Sequence, residues 1–419
     1  MNQDSEFCYR GEILACESVD LESLANNYGT PAYVYSKRAI VSRFHGYKNA
    51  LNGISHQVCF AVKANSNLAV LSVLAREGAG FDIVSGGELY RVLSAGGDAS
   101  RVVFSGVGKT EAEIRYALER GIHSFNCESE CEVHLLSRIA SSMGKIASIA
   151  LRVNPDVDAV THPYISTGLR EHKFGIDISV AEGIYTRASH LPGIAVEGVS
   201  CHIGSQLLDI KPLLEAADKM LTLVDRLRSQ GLTIRYLDLG GGLGVPYRSS
   251  DRAASPSGLI EALKTRLLGR DLTLMLEPGR SVVAEAGILL TRVLLVKKSG
   301  QKTFVVVDAG MNDLIRPSLY QAHHEIVPVT RVSDRLDITA DIVGPVCETG
   351  DFFARGRQIP AVEAGDLLAL RTVGAYGFVL SSNYNSRPRP CELIIDDDRV
   401  HVARHRETWE DLIRGEHPV

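Results

Sequence analysis

Short apolar runs alternate with amphipathic stretches along most of this chain. The runs cover residues 57–62, 81–84, 101–105, 122–126, 147–153, 195–202, 234–239 and 272–277. They are mostly β-branched or aromatic and often end at Gly, Asn or Ser, as buried parallel strands do. Between them the spacing turns helical. Residues 67–79 predict an amphipathic helix, and 210–230 a longer one stopped at Gly231. Thr110 and Glu113, Ser129 and Glu132, and Ser179 and Glu182 each have the spacing of a capping box. Eight strands with intervening helices predict an α/β fold, a TIM-like (β/α)8 barrel over residues 33–285. An open doubly wound sheet is the structural alternative. A barrel would carry its chemistry at the C-terminal ends of its strands.

After residue 285 the pattern changes. Residues 288–297, 303–307, 325–330, 337–343, 366–372 and 393–403 predict strands joined by turns, with no strong helix. They define a C-terminal all-β domain, 286–419, of the β-sandwich or β-barrel type. Residues 1–32 also hold strand-like pieces and are expected to pack on it. Two domains agree with the length of 419 residues, since single cores stop growing beyond roughly 250–300.

Composition removes several classes of function. The formal net charge is -5, with no basic excess for a nucleic-acid surface. No run approaches the roughly 20 apolar residues of a membrane span, and the acidic, polar start does not resemble a secretory signal. A cytoplasmic protein is expected. The eight cysteines are scattered and form no Cys-x-x-Cys pair, as in reduced thiols rather than a disulfide framework or zinc site. No metal is expected.

The candidate chemistry lies where the predicted strands end. Lys63, in Ala61-Val62-Lys63-Ala64-Asn65, could be a solvated strand end or an amine that condenses with an aldehyde. Gly240-Gly241-Gly242-Leu243-Gly244 would let backbone N–H groups approach a phosphate, or would simply make a tight turn. It lacks the spacing of a dinucleotide fingerprint. His202-Ile203-Gly204-Ser205-Gln206 places a ring, a glycine and a hydroxyl on one loop. Glu277-Pro278-Gly279-Arg280 offers a carboxylate for a pyridinium nitrogen, or an internal ion pair. In the second domain Arg316 and Tyr320 stand four apart, Cys347 adjoins Glu348, and Tyr376 sits in a Gly-rich turn. His323-His324 reads as surface.

Taken in order, these segments resemble the diaminopimelate decarboxylases, in the alanine-racemase-like, fold-type III class of pyridoxal 5′-phosphate (PLP) enzymes. Val84-Ser85-Gly86-Gly87-Glu88-Leu89, Arg316-Pro317-Ser318-Leu319-Tyr320, Cys347-Glu348-Thr349-Gly350-Asp351 and Ala375-Tyr376-Gly377 carry the resemblance further, as does the 166–175 segment. The resemblance implies a homodimeric lyase that converts meso-2,6-diaminopimelate to L-lysine and carbon dioxide. It implies that Lys63 holds PLP as a Schiff base and that His202 stacks on the ring. Ser205, Gly240, Gly241, Gly242, Glu277, Pro278, Gly279, Arg280 and Tyr376 would bind the cofactor. Arg280, Arg316, Tyr320, Glu348 and Tyr376 would bind substrate. Cys347 would return a proton, with Cys347 and Glu348 supplied by the other subunit. The distant carboxylate of the substrate separates this reading from ornithine, arginine or carboxynorspermidine decarboxylases. An amino acid racemase would need a tyrosine base in place of the Cys347 segment. A regulator without catalysis would lack Lys63 or Cys347.

Overall fold

The computed structural model describes residues 6–158 and 173–419. Eight parallel strands close on themselves: β1 (His56–Ala61), β2 (Gly80–Ile83), β3 (Val102–Phe104), β4 (Ser124–Cys127), β5 (Ala147–Asn154), β6 (Ile194–Ser200), β7 (Tyr236–Asp238) and β8 (Thr273–Leu276). β1 pairs with β2 on one side and β8 on the other, and β4 pairs with β5, so the sheet has no gap. This is the barrel that the alternating pattern predicts, and closure excludes the open-sheet alternative. Cys59, Val103, Ala150, Tyr236 and Met275 cluster in its interior. Gly198 on β6 makes room for Tyr236, because a Cβ there would lie 2.1 Å from the phenol ring.

The helices between strands start where short polar side chains satisfy the first N–H groups. Thr110 and Glu113 form a complete capping box on Glu111–Arg120. Ser129 accepts from the Glu132 N–H, but the Glu132 carboxylate turns to Lys109 and to the N–H of Glu128. Ser179 is not a cap. Asp177 caps Ile178–Ala188 and takes both the N–H and the hydroxyl of Ser179, because its carboxylate reaches them first.

The described residues divide into two units: those of 43–245 and 252–282, which hold the barrel, and those of 1–42, 246–251 and 283–419. In the β-rich unit the strand Gly287–Ser299 pairs antiparallel with Ala32–Ser36, Leu367–Leu370 and Lys302–Val307. Ala32–Ser36 is fully buried and also pairs with Cys391–Asp396. Leu14, Leu24, Val34, Ile288, Leu290 and Leu393 form the core beneath. The stretch read from sequence as one strand over 393–403 is a hairpin, turning at Asp397 with φ 58°. Phe352–Pro360 is a strand that the sequence hides, because Arg355-Gly356-Arg357 breaks its apolar alternation.

Candidate active site

Lys63 lies in a single helical turn, Val62–Ala64, directly after β1. Its Nζ donates to Oδ2 of Asp82 on β2 at 2.7 Å. Asp82 is fully buried, while the lysine side chain is 37% exposed. The buried carboxylate therefore fixes the direction of an amine that a ligand can still reach.

A second group of acids lies at the ends of β7 and β8. Asn126 on β4 donates to Asp238 Oδ2 at 3.1 Å and to Glu277 Oε1 at 3.4 Å, with Ser105 Oγ at 3.2 Å. Burial, then repulsion from Asp238 and Asp82, pushes the Glu277 carboxyl well above the usual carboxylate range. Burial raises Asp238 as well. Burial in this setting disfavours the charged carboxylate, and a cation placed against it would favour that form.

Three loops meet around these acids. A Cβ at Gly240 (φ 66°) would lie 2.7 Å from His202 Nδ1, and one at Gly241 2.3 Å from the Glu277 carbonyl oxygen. One at Gly242 (φ 105°) would lie 2.7 Å from the Gly204 carbonyl oxygen. Only glycine fits such an approach. The Gly241 N–H donates to His202 Nδ1 at 3.4 Å, and the Glu277 N–H to the Gly240 carbonyl at 2.8 Å. The Ala61 N–H donates to the Pro278 carbonyl at 3.1 Å, and a Cβ at Gly279 would touch Ala61 and Ala64. The segment 277–280 is thereby seated against the strand end that carries Lys63. Arg280 opens the helix Arg280–Val283 and donates to Ser205 Oγ from Nη2 at 3.0 Å. Burial, with Arg152 and Lys63 nearby, holds the His202 imidazole well below its usual pKa, so the ring is neutral. A neutral flat ring suits stacking better than proton donation.

These residues fit PLP. A directed amine, a buried carboxyl, and a glycine-lined turn beside a hydroxyl and a guanidinium match its aldehyde, ring nitrogen and phosphate. Among the described residues no cluster of His, Cys, Asp or Glu could hold a metal ion.

The second unit carries the remaining candidates. Arg316 and Tyr320 bound the short helix Arg316–Tyr320, and Arg316 is buried. Cys347 and Glu348 are exposed on the 344–351 turn. That turn folds around buried Asp351, whose carboxylate accepts from the N–H groups of Met311 and Val346 at 2.7 Å each. The Cys347 N–H donates to Asn385 Oδ1 at 2.7 Å, and Ser318 Oγ donates to the Gly350 carbonyl at 2.5 Å. Tyr376 is half-buried with a left-handed φ of 56°. His324, read from sequence as surface, is fully buried, because Arg316 and the Arg371 carbonyl bind both of its ring nitrogens. Most of the 166–175 segment lies outside the described residues. Asp82, Asn126 and Asp238 went unnoticed in the sequence. The available signal was a polar residue inside a run predicted to be a buried strand.

Glu88 gives this region a measurable pH dependence. Its carboxylate accepts from the Val84 N–H at 2.7 Å, yet burial raises its pKa to about 7. The folded chain thus keeps a proton that the unfolded chain releases near pH 4.5. Stability falls as pH rises between those values. Glu88→Gln should raise apoprotein stability at pH 8 by roughly 2–3 kcal/mol and change it little at pH 4.5. Denaturant unfolding at both pH values checks this; an equal gain at both would rule it out.

Residues 37–284 match the family model described as pyridoxal-dependent decarboxylase, pyridoxal binding domain. The diaminopimelate decarboxylase of Pseudomonas aeruginosa is 56% identical over 410 residues, 98% of each chain. That of Vibrio cholerae is 52% identical over 403 residues, 96% of each chain. Among solved structures, diaminopimelate decarboxylase from Helicobacter pylori complexed with L-lysine superposes with a TM-score of 0.91 at 44% identity. It covers 94% of this chain and 98% of that one.

Proposed function

The chain belongs to the diaminopimelate decarboxylases, within the pyridoxal-dependent decarboxylases, and on that premise we propose that it converts meso-2,6-diaminopimelate to L-lysine and carbon dioxide. The observation that carries this reading is the pairing of Lys63 with buried Asp82, beside the buried carboxyl of Glu277, at the ends of barrel strands. PLP supplies an electron sink for the charge left on a substrate carbon when a carboxylate departs.

The chain's residues do the rest. Lys63 is the attachment point, with Asp82 orienting its amine. Glu277 would pair with the ring nitrogen and favour its protonated form. His202, neutral, would stack on the ring. Gly240, Gly241, Gly242, Ser205 and Arg280 would hold the phosphate end, with Pro278 and Gly279 seating the 277–280 segment, and Tyr376 would complete the set. Arg280, Arg316, Tyr320, Glu348 and Tyr376 bind the amino acid. Arginine suits this work because its planar fork matches a carboxylate. Arg316 and Tyr320 take the distal carboxylate, and Cys347 returns a proton to the substrate carbon. The working form is a homodimer in which Cys347 and Glu348 act in the other subunit's site. The enzyme works in the cytoplasm; among the described residues no helix is long and apolar enough to cross a membrane.

Carbon dioxide release from equal concentrations of diaminopimelate, ornithine, arginine and lysine tests the reading. Diaminopimelate should exceed each of the others by at least about 10³-fold in kcat/KM, since a site built for a charged group rejects analogues lacking it. Preferential release from ornithine or arginine would refute it, and racemised substrate without gas would indicate racemase chemistry.

A further inference from the structure

The buried histidine beside Arg316 has a geometry that the function above leaves unused. His324 Nδ1 lies 2.9 Å from the Arg371 carbonyl oxygen, and its Nε2 lies 3.0 Å from Arg316 Nη1. A carbonyl can only accept and a guanidinium can only donate. The proton therefore sits on Nδ1, and Nε2 presents a lone pair to Arg316. The ring also packs edge-on against Tyr247, 5.4 Å between centroids, and the Arg316 guanidinium lies over the same Tyr247 ring at 4.7 Å. Arg357 anchors the backbone from below, donating to the His324 carbonyl at 3.0 Å and to His323 Nδ1 at 3.0 Å. A histidine acceptor differs from a carboxylate in one respect that matters here. It fixes the direction of a guanidinium without itself cancelling the charge.

We propose that His324 is a positioning residue that aims Arg316 at the distal carboxylate of the substrate, with Tyr247 as the platform for both. The proposal rests on the reading of Arg316 as a substrate-binding residue. His324 acts through Arg316 and does not touch the reacting carbon, so its loss should appear in KM and not in kcat.

Two substitutions separate its two hydrogen bonds. His324→Asn keeps an N–H for the Arg371 carbonyl but is too short to reach Arg316. His324→Gln places an acceptor near the Nε2 position and gives up the other bond. In holoenzyme, His324→Asn should raise KM for diaminopimelate about tenfold, with kcat within about threefold and the cofactor absorbance unchanged. His324→Gln should keep KM within about threefold of the parent. The double variant Arg316→Ala/His324→Asn should be no worse than Arg316→Ala alone, because both changes remove one interaction. An unchanged KM in His324→Asn, beside a raised KM in Arg316→Ala, would overturn the positioning role and leave the reading of Arg316 intact. A KM unmoved by Arg316→Ala would overturn both. Loss that follows Tm equally in the Asn and Gln variants would mark His324 as purely structural and overturn the proposal.

Discussion

Lys63→Ala should eliminate the visible absorbance of lysine-bound PLP and lower kcat/KM by at least about 10³-fold, because the proposed covalent attachment point is gone. Absorbance spectra of purified variant and parent, both supplied with PLP, check the first effect. Borohydride reduction followed by peptide mapping of the parent checks the residue. A band that survives in the variant would show that another lysine carries the cofactor. The substitution also strands an acid. Asp82 is fully buried and loses its 2.7 Å ammonium partner, which costs roughly 1–3 kcal/mol of stability, given a lysine still open to solvent. The double variant Lys63→Ala/Asp82→Asn should recover most of that stability and none of the absorbance. That contrast separates loss of chemistry from loss of fold.

The barrel was legible because its signal is redundant. Each of the eight apolar runs is a buried strand, and each lies within two residues of its expected place. Period alone could not settle whether the sheet closes. Closure depends on pairing between β1 and β8, far apart in the chain. The β-rich unit was harder for a physical reason. Its strands range from fully buried Ala32–Ser36 to partly exposed Phe352–Pro360, where Arg355-Gly356-Arg357 interrupts the alternation. Ala32–Ser36, adjacent in sequence to the barrel, takes its partners from Gly287–Ser299 and Cys391–Asp396, distant in sequence.

The candidate site divides in the same way. Glycines and loop residues stood out, since a run such as Gly240–Gly242 has few uses besides a tight turn or close backbone approach. Asp82, Asn126 and Asp238 did not stand out, because a single polar residue within a strand carries no periodic signal. Their roles come from neighbours 19 to 151 residues away in the chain. His324 failed for the opposite reason. Paired histidines in a polar stretch look exposed until Arg316 and Arg371 are seen on either side.

Glu277→Gln should reduce kcat by about 10²- to 10³-fold while leaving PLP bound, the range expected when a preorganised charge beside a reacting system is removed. The amide keeps the size of the side chain and can still hydrogen-bond, so the change isolates charge. The surroundings explain why charge is the issue. Burial and the nearby Asp238 and Asp82 carboxylates make ionised Glu277 unfavourable unless a cation lies against it. A protonated ring nitrogen, as proposed for bound PLP, would be such a cation, and each of the two would favour the charged form of the other. The same coupling gives an independent measurement. In apoprotein the raised pKa of Glu277 means that stability falls as pH climbs above the ordinary carboxylate range. PLP should weaken that dependence by supplying the missing positive charge, and apo Glu277→Gln should show a shallower dependence without it, with Glu88 and Asp238 supplying what remains. A variant with kcat within about threefold of the parent would remove Glu277 from the chemistry. An unchanged pH dependence of apoprotein stability would remove it from the proton balance, leaving Asp238 as the acid that carries it.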